Sequence, residues 1–427
     1  MTAILFIFWV SAALILYTYL LFPLIIFLRG WLLRRPIRRD AIRPMVSLVM
    51  AVYNEEQDLP ARLRNLQQLD YPLDRLEVII ASDGSTDRTN ALLQDFHRPN
   101  TRALLLPRQG KAKALNSAVA LASGELLVFS DANSIYAPDA IQRLIEPFAD
   151  PQVGGVAGNQ VYLDLRKVGL SQAGEKSYWN FDRQLKVAES QSGNVISATG
   201  AIYAIRRSLF QPVQEGVTDD FYTSTAVIEQ GYRLVFEPRA VSYEPPAASA
   251  EREFQRKVRI ITRGLRSVIA RRGLLNPFRH GFYAVQLFSH KILRRLVVLP
   301  LLAIFATSLL LAGSAPFYTA AAGLQTGFYL LALLGFVLQG QMATGRKNRL
   351  TTRLLKLASL PFFFTLVNTA ALLALVKLLR GSQIARWEPQ RAAAEISESE
   401  NDVALIPVTG AQDAETKPPV SGRQAAP

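Results

Sequence analysis

Cysteine is missing from all 427 residues, which excludes disulfides and thiolate metal sites. Histidine is nearly as scarce. His97, His280 and His290 are far apart and show no metal-ligand spacing, which argues against a histidine-bound zinc centre. Acidic side chains are outnumbered, 34 against 48 lysines and arginines, for a formal charge of +14. No G-x-G-x-x-G follows the first apolar strand and no G-x-x-x-x-G-K-[ST] occurs anywhere, so a dinucleotide dehydrogenase and a P-loop ATPase are disfavoured. A carboxylate just past the second strand can still hold a ribose hydroxyl, and a nucleotide ligand stays open.

Apolar sequence, by contrast, is abundant: half of the residues are hydrophobic. The length suggests about two to three domains. Ile4 to Leu28 is almost unbroken and suffices to cross a bilayer at ~20 residues per span. With no basic residue ahead of it and no A-x-A-like cleavage site, it reads as a retained anchor at 1–30 rather than a removable signal peptide. Arg29, Arg34, Arg35, Arg38 and Arg39 come directly after it. Basic flanks stay on the cytoplasmic side of the cell membrane, so the chain beyond residue 29 is expected to begin in the cytoplasm.

Further apolar runs at roughly 292–313, 316–341 and 354–379 give about three expected C-terminal spans within 292–380. The uncharged link Gly313-Ser314-Ala315 is expected outside. Arg346, Lys347, Arg349 and Arg353 mark 345–353 as inside. Parity then sends the C-terminus outside, against Lys377, Arg380, Arg386 and Arg391, unless Pro361 marks a re-entrant or broken segment. Arg386-Trp387-Glu388-Pro389 reads as a short interfacial element, and residues 391–427, rich in Ala, Glu, Ser and Pro, as a disordered tail.

The soluble middle alternates. Val46–Ala51, Leu76–Ala81, Ala103–Pro107 and Glu125–Ser130 are short β-rich runs. Between them, Leu59, Leu63, Leu66 and Leu69, and then Ala114, Leu115, Ala118, Val119 and Ala122, repeat at helical spacing. The pattern predicts an α/β domain with a mostly parallel, Rossmann-like sheet whose ligands bind beyond the carboxyl ends of the strands. Those ends carry Tyr53-Asn54-Glu55-Glu56, Ser82-Asp83-Gly84-Ser85-Thr86-Asp87 and Asp131-Ala132-Asn133. Any one such loop is explained by strand termination and helix capping. Acidic groups at several strand ends, brought to one edge by a parallel sheet, point to a site.

Farther on, Ser197-Ala198-Thr199-Gly200-Ala201-Ile202-Tyr203 combines small residues with a glycine, which suits close approach of backbone to a ligand. Thr218-Asp219-Asp220 precedes a helix-like stretch. The pair can cap that helix or supply a general base. Arg252, Arg256, Lys257, Arg259, Arg263, Arg266, Arg271 and Arg272 then crowd together. They suit a solvated face, a patch for anionic lipid headgroups or partners for a diphosphate. Leu275, Phe278, Phe282, Val285, Phe288, Ile292 and Leu296 keep helical spacing, which predicts an amphipathic interfacial helix at 271–291. Nucleic-acid binding, the competing use of such charge, fits poorly beside membrane segments and is not expected.

V-S-L-V-M-A-V-Y-N-E-E, I-I-A-S-D-G-S-T-D-R-T, G-K-A-K-A-L-N, F-S-D-A-N, S-A-T-G-A-I-Y-A-I and T-D-D-F, in this order, resemble the membrane-bound family 2 glycosyltransferases. These have the GT-A fold and include synthases of cellulose, hyaluronan, chitin and poly-N-acetylglucosamine. The resemblance covers about residues 45–265, and the flanking helices match the group's layout. It implies a cytoplasmic GT-A domain at 44–270 that uses a nucleotide-diphospho-sugar donor, Mg²⁺ or Mn²⁺, and a polysaccharide or lipid-linked acceptor. By the same resemblance, Tyr53, Asn54, Glu55 and Asp83 hold the nucleoside, and Lys113 lies toward the phosphates. Asp131, with Asn133, stands at the metal. Gly200 and Ala201 lie near sugar and acceptor. Asp220 is the general base, with Asp219 in place of the family's Glu, and Arg259 stabilises the leaving diphosphate.

The chain departs from the family twice. Polymerising members carry Q-x-x-R-W after the base. Here, aligning its Arg to Arg259 puts Arg256 at the Gln and Ile260 at the Trp, and Ile cannot stack on a sugar. Trp179 is one aromatic available to replace it in that role. The second departure is Asn133, where the family has a second aspartate. An amide oxygen can bind a hard cation without adding charge, or it can bind sugar or diphosphate instead. The altered Trp position favours single transfer to a lipid, and the membrane segments favour polymerisation. From another class, a catalytically inactive regulatory subunit would also suit a membrane chain, although Asp83, Asp131 and Asp220 argue against it. A transporter is weaker, because the apolar helices hold few polar groups.

Overall fold

The computed structural model describes residues 1–162, 170–244, 250–343 and 349–381. The chain divides into two units, 1–390 and 391–427, and all described residues belong to the first. The expected disordered tail, the Arg386–Pro389 element and Arg346 and Lys347 of the 345–353 link lie outside the described residues.

The soluble part is built on one eight-stranded sheet. Its strands are β1 (Val46–Val52), β2 (Leu76–Asp83), β3 (Thr101–Leu106), β4 (Leu126–Phe129), β5 (Ile135–Tyr136), β6 (Val153–Tyr162), β7 (Tyr203–Arg206) and β8 (Arg233–Glu244). They lie in the order β3-β2-β1-β4-β7-β6-β8-β5. β3, β2, β1 and β4 are parallel, as the alternating pattern predicts. β1 and β2 are buried along their whole length, because helices cover both faces, and that is why they read as continuous apolar runs. On one face Leu48, Met50 and Leu76 pack on Leu59, Leu63 and Leu66 of helix Leu59–Gln67. On the other, Val49 and Ile79 pack on Ala114, Leu115 and Ala118 of helix Lys111–Ala120. Truncating a residue such as Leu48, which is fully buried, to alanine costs ~2–5 kcal/mol.

The second half of the sheet is mixed. β7 runs antiparallel to β4 and to β6, while β6 and β8 are parallel. The consequence for the site is geometric. Reversing β7 brings its beginning, Gly200 to Tyr203, beside the end of β4. The parallel β6 and β8 then deliver their ends, Tyr162 and Glu244, to the same edge as Asp83 and Asp131.

Among the described residues, three helices are long and apolar enough to cross a membrane: Thr2–Leu32, Pro316–Leu338 and Leu357–Leu379. A fourth candidate is a pair, Phe282–Leu296 and Val298–Leu311, bent by 49°. The Thr2–Leu32 helix carries a π-helical turn at Tyr17–Leu21 and packs Phe22 and Ile26 on Leu185 and Ala188 of helix Leu170–Ser192. Pro361 does not break the chain, since helix Arg349–Leu379 runs through it.

The single interfacial helix expected at 271–291 is not formed. Asn276 caps Phe278 N at 3.0 Å, Pro277 opens a new short helix, and Gly281 at φ +55° ends it, so the stretch is a series of short turns. The amphipathic element is instead the preceding helix, Ala250–Ala270. Its Val258, Ile261 and Leu265 pack on Ala370, Ala371 and Ala374 of the last apolar helix. The charged residues at intervening positions are left for the other side.

Candidate active site

Beyond the ends of β1 and β2, two loops clamp each other. Asn54, in the left-handed region at φ 53°, accepts a hydrogen bond from Thr86 N at 2.7 Å, and its own N–H donates to Ser85 Oγ at 3.0 Å. Glu55 N–H donates to Thr89 Oγ1 at 2.8 Å. The fully buried Asp83 accepts from Gln109 N at 2.7 Å and Gly110 N at 2.9 Å, and forms an ion pair with Arg108. That guanidinium lies 3.5 Å from the centre of the Tyr53 ring. Gly84 makes the turn possible. It has φ +70°, and a Cβ there would fall 2.5 Å from Arg108 N. The result is a flat aromatic-cation surface beside a carboxylate.

The next strand end is braced from beneath. Arg62, fully buried, donates to Ser130 Oγ at 2.9 Å and to Asn65 Oδ1 at 2.6 Å, and lies over the Tyr136 ring at 4.1 Å. Asn65 exchanges two hydrogen bonds with the Tyr136 backbone, at 2.8 and 2.9 Å. Tyr136 OH donates to Ala201 O at 3.2 Å. These contacts hold the Asp131-Ala132-Asn133 turn, and they place Ala201 in the core rather than at the surface of the site.

Above this brace the carboxylates converge. Lys111 Nζ stands 2.8 Å from Asp131 Oδ1 and 3.0 Å from Asp219 Oδ2. Burial alone would lower the Lys111 ammonium, but the Asp131 and Asp219 charges outweigh it and hold it charged. Asp131 is 35% exposed, so one side remains open to a ligand. Gly200 allows the arrangement, since a Cβ there would lie 2.7 Å from Asp131 Oδ2. Asn133 is half-exposed on the same turn.

Asp219 and Asp220 open helix Asp219–Glu229, as capping and dipole preferences favour. The surrounding protein pushes the Asp220 carboxyl up to about 6, and the Asp219 charge adds to the shift. The Phe221 N–H at 2.6 Å, Lys291 and Lys111 pull it back. Glu244 is pushed up to about 7 by burial and by Asp131, while it accepts from Ser134 Oγ at 2.7 Å and Gln160 Nε2 at 2.5 Å.

Helix Ala250–Ala270 supplies the cations. Arg259 and Arg263 are both lowered by burial, and each feels an opposing pull from a site carboxylate, Arg259 from Asp131 and Arg263 from Asp219. Arg256 is turned to Glu253 at 2.7 Å and to Tyr162 OH at 3.3 Å. Ile260, at the position of the missing Trp, is 40% exposed.

Lys113, expected toward the phosphates, is corrected. It pairs with Glu215 at 2.8 Å, with both side chains more than half exposed. Lys111 occupies the site instead, because residues two apart on a helix do not share a face. Sequence reasoning also passed over Arg108 and Glu244, and named Arg263 only as one of a basic cluster. Glu244 ends a strand, so the strand-end rule finds it once β8 is read through Pro238. Arg263 lies one turn beyond Arg259 on the same helical face. Among the described residues, no three Asp, Glu or His side chains form a ready-made metal cluster.

Residues 47–213 match the family model described as Glycosyl transferase family 2. Poly-beta-1,6-N-acetyl-D-glucosamine synthases of Staphylococcus epidermidis (strain ATCC 35984) and Staphylococcus aureus (strain COL) are each 28% identical over 205 residues, covering 46% of this chain and 49% of theirs. The chain thus spans about half the length of the curated relatives it matches. The solved mannosyltransferase PcManGT from Pyrobaculum calidifontis, in complex with GDP-Man and Mn²⁺, is similar in fold at TM-score 0.63 and 22% identity. That match covers 88% of this chain and 100% of the other. The chain carries a family 2 glycosyltransferase domain of GT-A fold.

Proposed function

We propose that the chain is an inverting glycosyltransferase of the cytoplasmic membrane that moves a sugar from a nucleotide-diphospho-sugar to a polysaccharide or lipid-linked acceptor. The observation that carries this reading is one sheet edge where β2 and β4, on either side of β1, bring up Asp83 and Asp131, and Lys111 joins Asp131 to Asp219 beside Asp220. Asp220 takes the proton from an acceptor hydroxyl. The freed oxygen bonds to the anomeric carbon as the bond from that carbon to the diphosphate oxygen breaks on the opposite face, so configuration inverts. Lys111, Arg259 and Arg263 stabilise the charge left on the nucleoside diphosphate. Tyr53 and Asp83 hold the nucleoside.

A divalent cation fits the Asp131 turn. Two carboxylates there already enclose a cation, the Lys111 ammonium, and one side of Asp131 is open. Mg²⁺ is commonly held by one or two carboxylates together with substrate phosphates. Asp131, with Asn133, would hold it, and it would supply further neutralisation of the diphosphate. The solved mannosyltransferase with GDP-Man and Mn²⁺ supports the same chemistry. The exposed Ile260 offers an acceptor sugar no aromatic surface, which favours single transfer over processive polymerisation.

The test is purified, membrane-reconstituted protein incubated with a panel of nucleotide sugars, with the product sized. Transfer by the wild type that is lost in Asp220→Asn is the expected result. A wild type that neither transfers nor hydrolyses any donor would favour a regulatory subunit.

A further inference from the structure

We propose that a cavity at the foot of the N-terminal helix binds the phosphate headgroup of one anionic glycerophospholipid. The cavity measures about 400 Å³ and is lined by Arg34, Arg35, Arg39, Ile37, Val187 and Phe236 among others. That volume falls in the range of small-molecule sites, ~300–1,000 Å³. Its walls come from the basic stretch after Leu32, the last turns of helix Leu170–Ser192, and β8.

The basic stretch is pinned, not trailing. Arg35 N–H donates to Gln191 O at 2.7 Å, and the Arg233 guanidinium holds Arg35 O at 3.2 Å and Pro36 O at 3.3 Å. Arg39 is neutralised by Glu237 at 3.1 Å, but among the described residues no carboxylate within 4 Å pairs with Arg34 or Arg35. Two positive charges therefore border a cavity whose remaining walls are largely apolar.

The occupant is identified by the surfaces that adjoin the cavity. Trp31, Leu32 and Leu33, 68%, 63% and 50% exposed, lead from the apolar helix directly to the arginines. An amphiphile with its acyl chains along Trp31–Leu33 and its phosphate at Arg34 and Arg35 satisfies both surfaces. A soluble anion satisfies only one. The inference rests on the proposed reading that this helix crosses the membrane with the arginines on its cytoplasmic side.

The test places the full chain in nanodiscs of phosphatidylcholine with or without phosphatidylglycerol and reads retained lipid by native mass spectrometry. The wild type should keep one phosphatidylglycerol in preference. Arg34→Gln with Arg35→Gln should weaken that retention about 30-fold, near the effect of two basic residues at an anionic surface. Val187→Trp, which fills the cavity and keeps the charges, should abolish it, and Arg64→Gln, exposed on helix Leu59–Gln67 of the soluble part, should not change it. Unchanged retention in the arginine double variant would overturn the proposal, whether or not the tryptophan variant folds. Displacement by glycerol 3-phosphate at equal concentration would overturn the lipid assignment in favour of a soluble phosphate ester. Resistance of the chain to carbonate extraction from membranes reads the spanning assignment separately.

Discussion

Lys111 and Lys113 differ by two positions and meet opposite fates, one enclosed by Asp131 and Asp219, the other on the surface with Glu215. Lys111→Met should therefore cut transfer by about two orders of magnitude, the scale of removing one transition-state donor. Lys113→Met should leave the rate within about twofold, since exposed ion pairs contribute little. Steady-state kinetics of the two variants side by side decides the point. Asp220 makes a second prediction. The base must be ionised, and its carboxyl is raised to about 6, so the rate should fall about tenfold per pH unit below that value rather than below ~4. Asp219→Asn removes the like charge and should move this acid limb to lower pH. A pH–rate profile that stays flat down to ~4 in the wild type would contradict the assignment. Asn133→Asp should keep activity and lower the metal concentration needed for half-maximal rate. A higher requirement would mean that position 133 serves the substrate and not the cation. Residue types at strand ends were legible in the sequence. Which of two nearby lysines turns inward was not, because that depends on where the helix starts, and Gly110 at φ +101° sets that start.

Elements decide how firmly those residues are held. The Asp131 turn is packed between Arg62 below and Gly200 beside it, with no room for a methyl group at position 200. Gly200→Ala should displace the Asp131 carboxylate and raise the divalent-cation requirement while the melting temperature changes little. Helix Ala250–Ala270 lies on the small side chains Ala370, Ala371 and Ala374. Ala371→Leu should overpack that seam at ~1–3 kcal/mol and lower both melting temperature and activity, since the same helix carries Arg259 and Arg263. The four parallel strands and the helices between them were legible from apolar runs and spacing. β6, β7 and β8 were not. β6 carries three glycines, β8 contains Pro238, and the four-residue β7 gives no periodicity to read. The interfacial helix was misplaced for a related reason. The apolar spacing continued through 275–296, but Pro277 and Gly281 outweighed it locally.

At the scale of the whole molecule, a mixed sheet collects acidic groups at one edge, while the arginine-bearing helix Ala250–Ala270 rests on the last apolar helix. The two basic clusters could be sensed in the sequence, but only the fold shows that Arg259 and Arg263 feel the charges of Asp131 and Asp219 while Arg34 and Arg35 border a separate cavity. The central claim is that this edge transfers sugar with Asp220 as the base. The most direct measurement is transfer from a nucleotide sugar by the reconstituted full chain, wild type against Asp220→Asn, at neutral pH. The account predicts a loss of about 10²–10⁴-fold with folding intact. Equal rates in the two proteins would contradict it.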